Sequence, residues 1–177
     1  MKHAIFIALA TALLAAGAAG ADDSDDESSF GNGLKFSARL SGAQEGQGVD
    51  SAGAGSVSVR FDAAFTQVFV DLRVGNLTGN FTRAHFHCNR PGANGPIAFG
   101  LVAPGPLVFD GRRVRGVLTN ADFNGADCTS VALVGRPVNN IAALAFAMRD
   151  GLVYLNVHTD LFPGGEIRGQ LLPAGDD

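Results

Sequence analysis

GSVSVRFDAAFTQVFVDLRV, residues 55–74, alternates apolar and polar residues through two runs separated by a short polar break. A period of two is the signature of a half-buried strand, because successive side chains point to opposite faces. The same rhythm returns in LKFSARL (34–40), FTRAHFH (81–87), RVRGVLT (113–119), LVYLNVHT (152–159) and EIRGQLL (166–172), with shorter candidates at PIAFGLV (96–102) and PLVF (106–109). Twenty-four glycines, many of them between these runs, supply the tight turns. The pattern predicts an all-β protein of about eight antiparallel strands, as a two-sheet β-sandwich or a Greek-key barrel. One segment departs from it. In GRPVNNIAALAFAMRDG (135–151), Ile141, Leu144, Ala145 and Met148 fall at helical spacing and Gly151 sits where a helix ends, so a single short helix is expected over 138–149.

The ends of the chain read differently from its middle. MKHAIFIALATALLAAGAAGA (1–21) has one lysine, an apolar run and small residues at its end, the composition of a secretory signal peptide cut after Ala21. Its apolar run is shorter than the roughly 20 residues a membrane-spanning helix needs. The mature protein is therefore expected to be secreted or periplasmic, with no membrane contact after cleavage. Residues 22–33 open with five acids in DDSDDE and have almost nothing to bury, so they read as a disordered, solvated linker. A β domain follows over 34–173, then a frayed end at 174–177. Loss of the signal removes Lys2, and five of the remaining acids belong to the linker, so the folded part is close to neutral. No basic stripe with interleaved aromatics points to nucleic acid.

There are four histidines, and His3 leaves with the signal. In RAHFHC (83–88), strand alternation sends Arg83, His85 and His87 to one face and Ala84, Phe86 and Cys88 to the other. In LVYLNVHT, Val153, Leu155 and Val157 form the apolar face and leave Tyr154, Asn156 and His158 opposite. All the mature histidines thus fall on the polar faces of two strands, where a surface site of three imidazoles can assemble. Imidazole suits copper, zinc, iron or nickel, and three protein ligands leave a coordination position open. The bland alternative is a set of solvated polar residues. Tyr154, Asn156 and Glu166 are candidates to support the ligands from behind, with Tyr154 and Asn156 as ordinary outward-facing residues the alternative.

Cys88 and Cys128 are the only cysteines, and in an exported chain a disulfide is the first expectation. Cys88 as a metal thiolate is the competing reading, weakened by the alternation that turns it away from His85 and His87. No serine sits in a nucleophile-elbow context.

Two stretches, TRAHFHCNRPGANGPIAFGL and GLVYLNVHTDLFPGGEIRGQL, resemble the CHRD domain, a family named for repeats in chordin. The likeness runs from about residue 36 to 173 and implies an extracellular β-sandwich whose biochemical role is largely undefined. The chain departs from the family where Cys88-Asn89-Arg90-Pro91 replaces a glycine-containing turn. A second, weaker resemblance is to copper-zinc superoxide dismutase, which implies His85, His87 and His158 as copper ligands and Arg168 as an anion-steering residue. The histidine that bridges two metals there has no counterpart, so the resemblance implies a mononuclear copper site, with zinc as the alternative metal and superoxide as the small-anion substrate. Arg168 has a structural reading too, paired with Glu166 on its own strand face or with a backbone carbonyl. The competing functions are a non-catalytic interaction module whose protein partner the sequence does not name, and a copper carrier without turnover.

Overall fold

The computed structural model describes residues 33–123, 128 and 137–174. The expected signal peptide, nearly all of the linker and the last three residues of the tail lie outside the described residues. The strands are β1 (Lys35–Ser41), β2 (Ala54–Phe61), β3 (Gln67–Gly75), β4 (Phe81–Cys88), β5 (Ile97–Val102), β6 (Arg113–Thr119), β7 (Val153–Thr159), β8 (Ile167–Gln170) and β9 (Leu172–Pro173), with one helix, α1 (Ile141–Arg149). The opening stretch of sequence becomes β2 and β3, paired from Ala54↔Gly75 to Phe61↔Val68. EIRGQLL divides into β8 and the two-residue β9. PLVF forms no strand but makes single bridges, Val102↔Pro106 and Phe109↔Val114.

All strand pairs are antiparallel, in one continuous sheet ordered β5-β4-β7-β8-β1-β2-β3-β6, with β9 added beside β1. Of the two architectures that the sequence left open, the structure takes the barrel-like one. The sheet curls around a single core that draws on β1 to β8 and α1. β6 returns beside β3 and β7 beside β4, each passing over the two strands between, as Greek-key connections do. The two sheet edges, β5 and β6, are drawn together by the bridges from residues 106 and 109.

α1 begins at Ile141 and not near 138, because Asn140 is extended and its side chain accepts the Ala143 N–H as an N-cap. Val138 is buried but precedes the cap. Ile141, Leu144, Ala145 and Met148 enter the core as their spacing requires. Phe146 stacks on Phe65 in the β2–β3 turn, with ring centroids 6.0 Å apart. At its far end Gly151 takes a φ of 69° and Leu152 N–H donates to Ala147 O, which sets the start of β7.

Cys88 is buried on the core face of β4 and is joined to Cys128 by a disulfide across 40 residues of chain. The outer face of the β1-β2-β3-β6 half collects cations in register. Arg39, Arg73 and Arg113 lie in one cross-strand row, Lys35 and Arg60 in a second, and Arg115 in a third that holds Asp71. Near-neutrality of the domain therefore hides a segregated charge. Among the described residues no helix is long and apolar enough to cross a membrane.

Candidate functional site

The candidate face is the outer side of β4, β7 and β8, and pairing fixes its layout. Arg83 lies opposite His158, His85 opposite Asn156, and His87 opposite Tyr154; Asn156 lies in turn opposite Arg168. The alternation of RAHFHC and VYLNVHT thus sorts side chains as the sequence predicted. The expectation that this face is a surface does not hold. His85 and His158 are 1% and 7% exposed, and every residue of β7 is buried. Segments 42–50, 89–96 and 160–165 fold over the sheet here, shown by their bonds to its side chains. A polar face covered by loops is indistinguishable, in strand periodicity, from one that meets water.

One ring nitrogen from each of His85, His87 and His158 lies within 4.8 Å of the others. His85 Nδ1 is 3.2 Å from His158 Nε2. Two nitrogens bound to one ion at about 2.1 Å sit roughly 3–4 Å apart, so the His85–His158 pair already has the spacing of a shared cation, and a pair at the 4.8 Å limit would close by about 1 Å to join it. The other nitrogens are tied to backbone. His87 Nδ1 donates to Gly95 O at 2.9 Å, and His158 Nδ1 donates to Pro163 O at 2.9 Å. A carbonyl only accepts, so both protons are placed on Nδ1 and both Nε2 atoms keep a lone pair, that of His158 directed at His85 Nδ1. That is the arrangement in which a backbone carbonyl orients a metal-ligating imidazole. His87 Nε2 and His85 Nε2 are buried without a hydrogen-bond partner.

Burial keeps the three rings neutral. It brings His158 down to about 4 against the Pro163 hydrogen bond, helped by His85, Arg83 and His87. It brings His87 to about 4 against the Gly95 bond, helped by His85 and Arg168. His85 is lowered for the same reason, with a smaller opposing pull from the Ala103 backbone and a further push from Arg83.

Arg168 is also on this face but is turned to another task. It is 1% exposed, its Cζ lies 3.4 Å from the centre of the Tyr154 ring, and it donates to Ala93 O (2.8 Å), Asn94 Oδ1 (3.2 Å) and Arg90 O (3.3 Å). The guanidinium thus ties down the 89–96 loop. The pairing with Glu166 considered from sequence is absent, for a geometric reason. Glu166 turns to the opposite end of the sheet, where Oε1 accepts from Ser51 Oγ and Thr78 N, both at 2.6 Å, and Oε2 accepts from Thr159 Oγ1 at 2.8 Å and Gly79 N at 3.2 Å. These donors satisfy the carboxylate and join β7 to two loops, away from the imidazoles.

Tyr154 is stacked from both flanking strands, by Arg168 and by His87, whose ring is 5.0 Å away and 8° from parallel. Its hydroxyl accepts Gly95 N–H at 3.1 Å, so the residue that anchors His87 is itself held by Tyr154. Asn156 donates to Glu45 Oε1 at 2.6 Å and leaves its own Oδ1 buried without a partner.

Glu45 and Arg83 are the charged neighbours that reading the sequence left without a role. Glu45 sits in a loop with no periodicity to mark it; burial raises its carboxyl to about 7 against the lowering influence of Arg168. Arg83 was legible as sharing the face of His85 and His87, and its Nη2 donates to Pro163 O at 3.1 Å, the carbonyl that also orients His158.

Compared with known proteins, residues 36–171 match the family model of the CHRD domain. No curated protein and no solved structure matches the chain.

Proposed function

The chain belongs to the CHRD domain family, and from that premise we propose that it is an exported protein that binds one transition-metal ion, copper first and zinc second, through His85, His87 and His158. The observation that carries this reading is the convergence of three neutral imidazoles within 4.8 Å, two of them fixed by carbonyls so that Nε2 is the unprotonated nitrogen, without a partner in His87 and facing His85 Nδ1 in His158. Solvated histidines would not be buried as His85 and His158 are, and a purely structural cluster would not leave the Nε2 atoms of His85 and His87 unpaired. Copper held there supplies a one-electron redox couple. The protein itself orients the rings and excludes most water, and three imidazoles alone leave a fourth coordination position to be filled. Superoxide disproportionation is the reaction to test first, and copper storage or delivery uses the same residues without turnover. The apolar run of residues 1–21 and the Cys88–Cys128 disulfide support export.

Metal content of the purified mature protein tests the reading. Wild type is expected to hold one copper per chain, and His85→Ala and His158→Ala each to lose it. No binding above background at micromolar metal removes both the enzyme and the carrier. If copper is retained, a superoxide assay separates the two. A non-catalytic interaction module has its own supporting observation, the aligned cations of β1, β2, β3 and β6. It is the reading that stands if metal is not bound.

A further inference from the structure

We propose that Arg83 makes the histidine cluster selective for small inorganic anions, its guanidinium holding a monoanion beside the three imidazoles. The proposal rests on the metal reading above and assigns the anion-recognising charge to a different residue from the one expected in sequence. Arg168 is unsuited to that part. It is buried, stacked on Tyr154 and committed to Arg90 O, Ala93 O and Asn94 Oδ1, so an arriving anion would have to displace a loop to reach it.

Arg83 differs on each count. It is two residues before His85 on the same strand face and directly opposite His158. Its position is half-exposed, whereas Arg168 is buried, so an anion arriving from solvent can meet it without displacing a loop. Among the described residues its one hydrogen bond is to Pro163 O, and no carboxylate lies within ion-pair distance. A guanidinium has five N–H donors in a planar fork, so one bond to a carbonyl leaves the fork able to meet an anion. The same bond fixes the fork relative to His158, because Pro163 O accepts from both.

The surrounding charges favour the same sign of ligand. Arg83 and Arg168 both bear on the imidazoles; of the acids around them, Glu45, bonded to Asn156, is raised by burial to about 7, and Asp160, two residues beyond His158, is tied to Asn80. Neutral histidines add no negative charge of their own, so a metal cation bound there leaves the site net positive. A cationic site attracts anions and loses that advantage as salt screens it.

The test titrates azide, as a small monoanion, and imidazole, as a neutral ligand, into the copper-loaded mature protein, following the copper absorption band. Arg83→Gln is expected to weaken azide by about tenfold while copper stoichiometry and imidazole affinity stay as in wild type. Arg83→Lys is expected to recover most of the azide affinity, and added salt to weaken azide in wild type more than in Arg83→Gln. If Arg83 only props Pro163, both ligands weaken together, which overturns the proposal. Equal azide affinity in wild type and Arg83→Gln overturns it as well, and leaves the metal reading intact. Wild-type protein that binds no copper overturns both.

Discussion

An imidazole presents a lone pair to a metal only while it is unprotonated, so the state of His87 and His158 governs both function and stability. The unfolded chain takes up protons on these residues near pH 6.5, whereas the folded chain resists until about 4. Between those values the unfolded state binds more protons, and stability of the metal-free protein falls as pH falls. Glu45 has the opposite sign. Its folded carboxyl takes up a proton near 7, before its unfolded counterpart near 4.5, and so favours the fold as pH drops across that window. Two depressed histidines outweigh one raised carboxyl, and His85 is lowered as well. The urea midpoint of metal-free protein is therefore expected to decline from pH 6.5 to 4.5, less steeply in His158→Gln and more steeply in Glu45→Gln. A decline of the same slope in all three proteins would mean that these groups do not set it.

At the scale of elements, the site depends on loops as much as on strands. Gly165, just before β8, shows how closely they pack. Its φ is 129°, and a Cβ there would lie 2.3 Å from Asn156 Nδ2 and 2.8 Å from Glu45 Oε1. Gly165→Ala is expected to cost about 1–3 kcal/mol of stability by thermal melting, and to loosen the 160–165 segment whose Pro163 carbonyl orients His158. Metal affinity should fall with it; unchanged affinity would show that this segment does not position the ring. The strands and their facing were readable from alternation, as was the convergence of His85 and His87 on the face of His158. What covers that face was not, because 42–50 and 89–96 carry no periodicity and are placed by contacts such as Arg168 to Ala93 O and Asn156 to Glu45. The same gap explains the pairing of Arg168 with Glu166 considered from sequence. Residues two apart share a face, yet Arg168 turns to one loop and Glu166 to another.

Over the whole molecule, one sheet closes on one core, and its covalent link runs from β4 to Cys128. The Cys88–Cys128 bond closes 40 residues of chain, worth on the order of 4 kcal/mol in the chain-entropy account. A Cys88→Ala, Cys128→Ala double variant is expected to lose much of that in denaturant unfolding while still holding metal, since Cys88 faces the core and the histidines face away. Loss of metal in this variant without loss of stability would place sulfur in the coordination after all. Sequence composition could not show that the cations of β1, β2, β3 and β6 share one face, because their alignment is a property of register. The chain as a whole contains one tyrosine and no tryptophan, and that tyrosine is the Tyr154 ring stacked on His87. The protein's ultraviolet emission thus comes almost wholly from a fluorophore touching the candidate site, which makes occupancy by a quenching ion such as copper visible without any label.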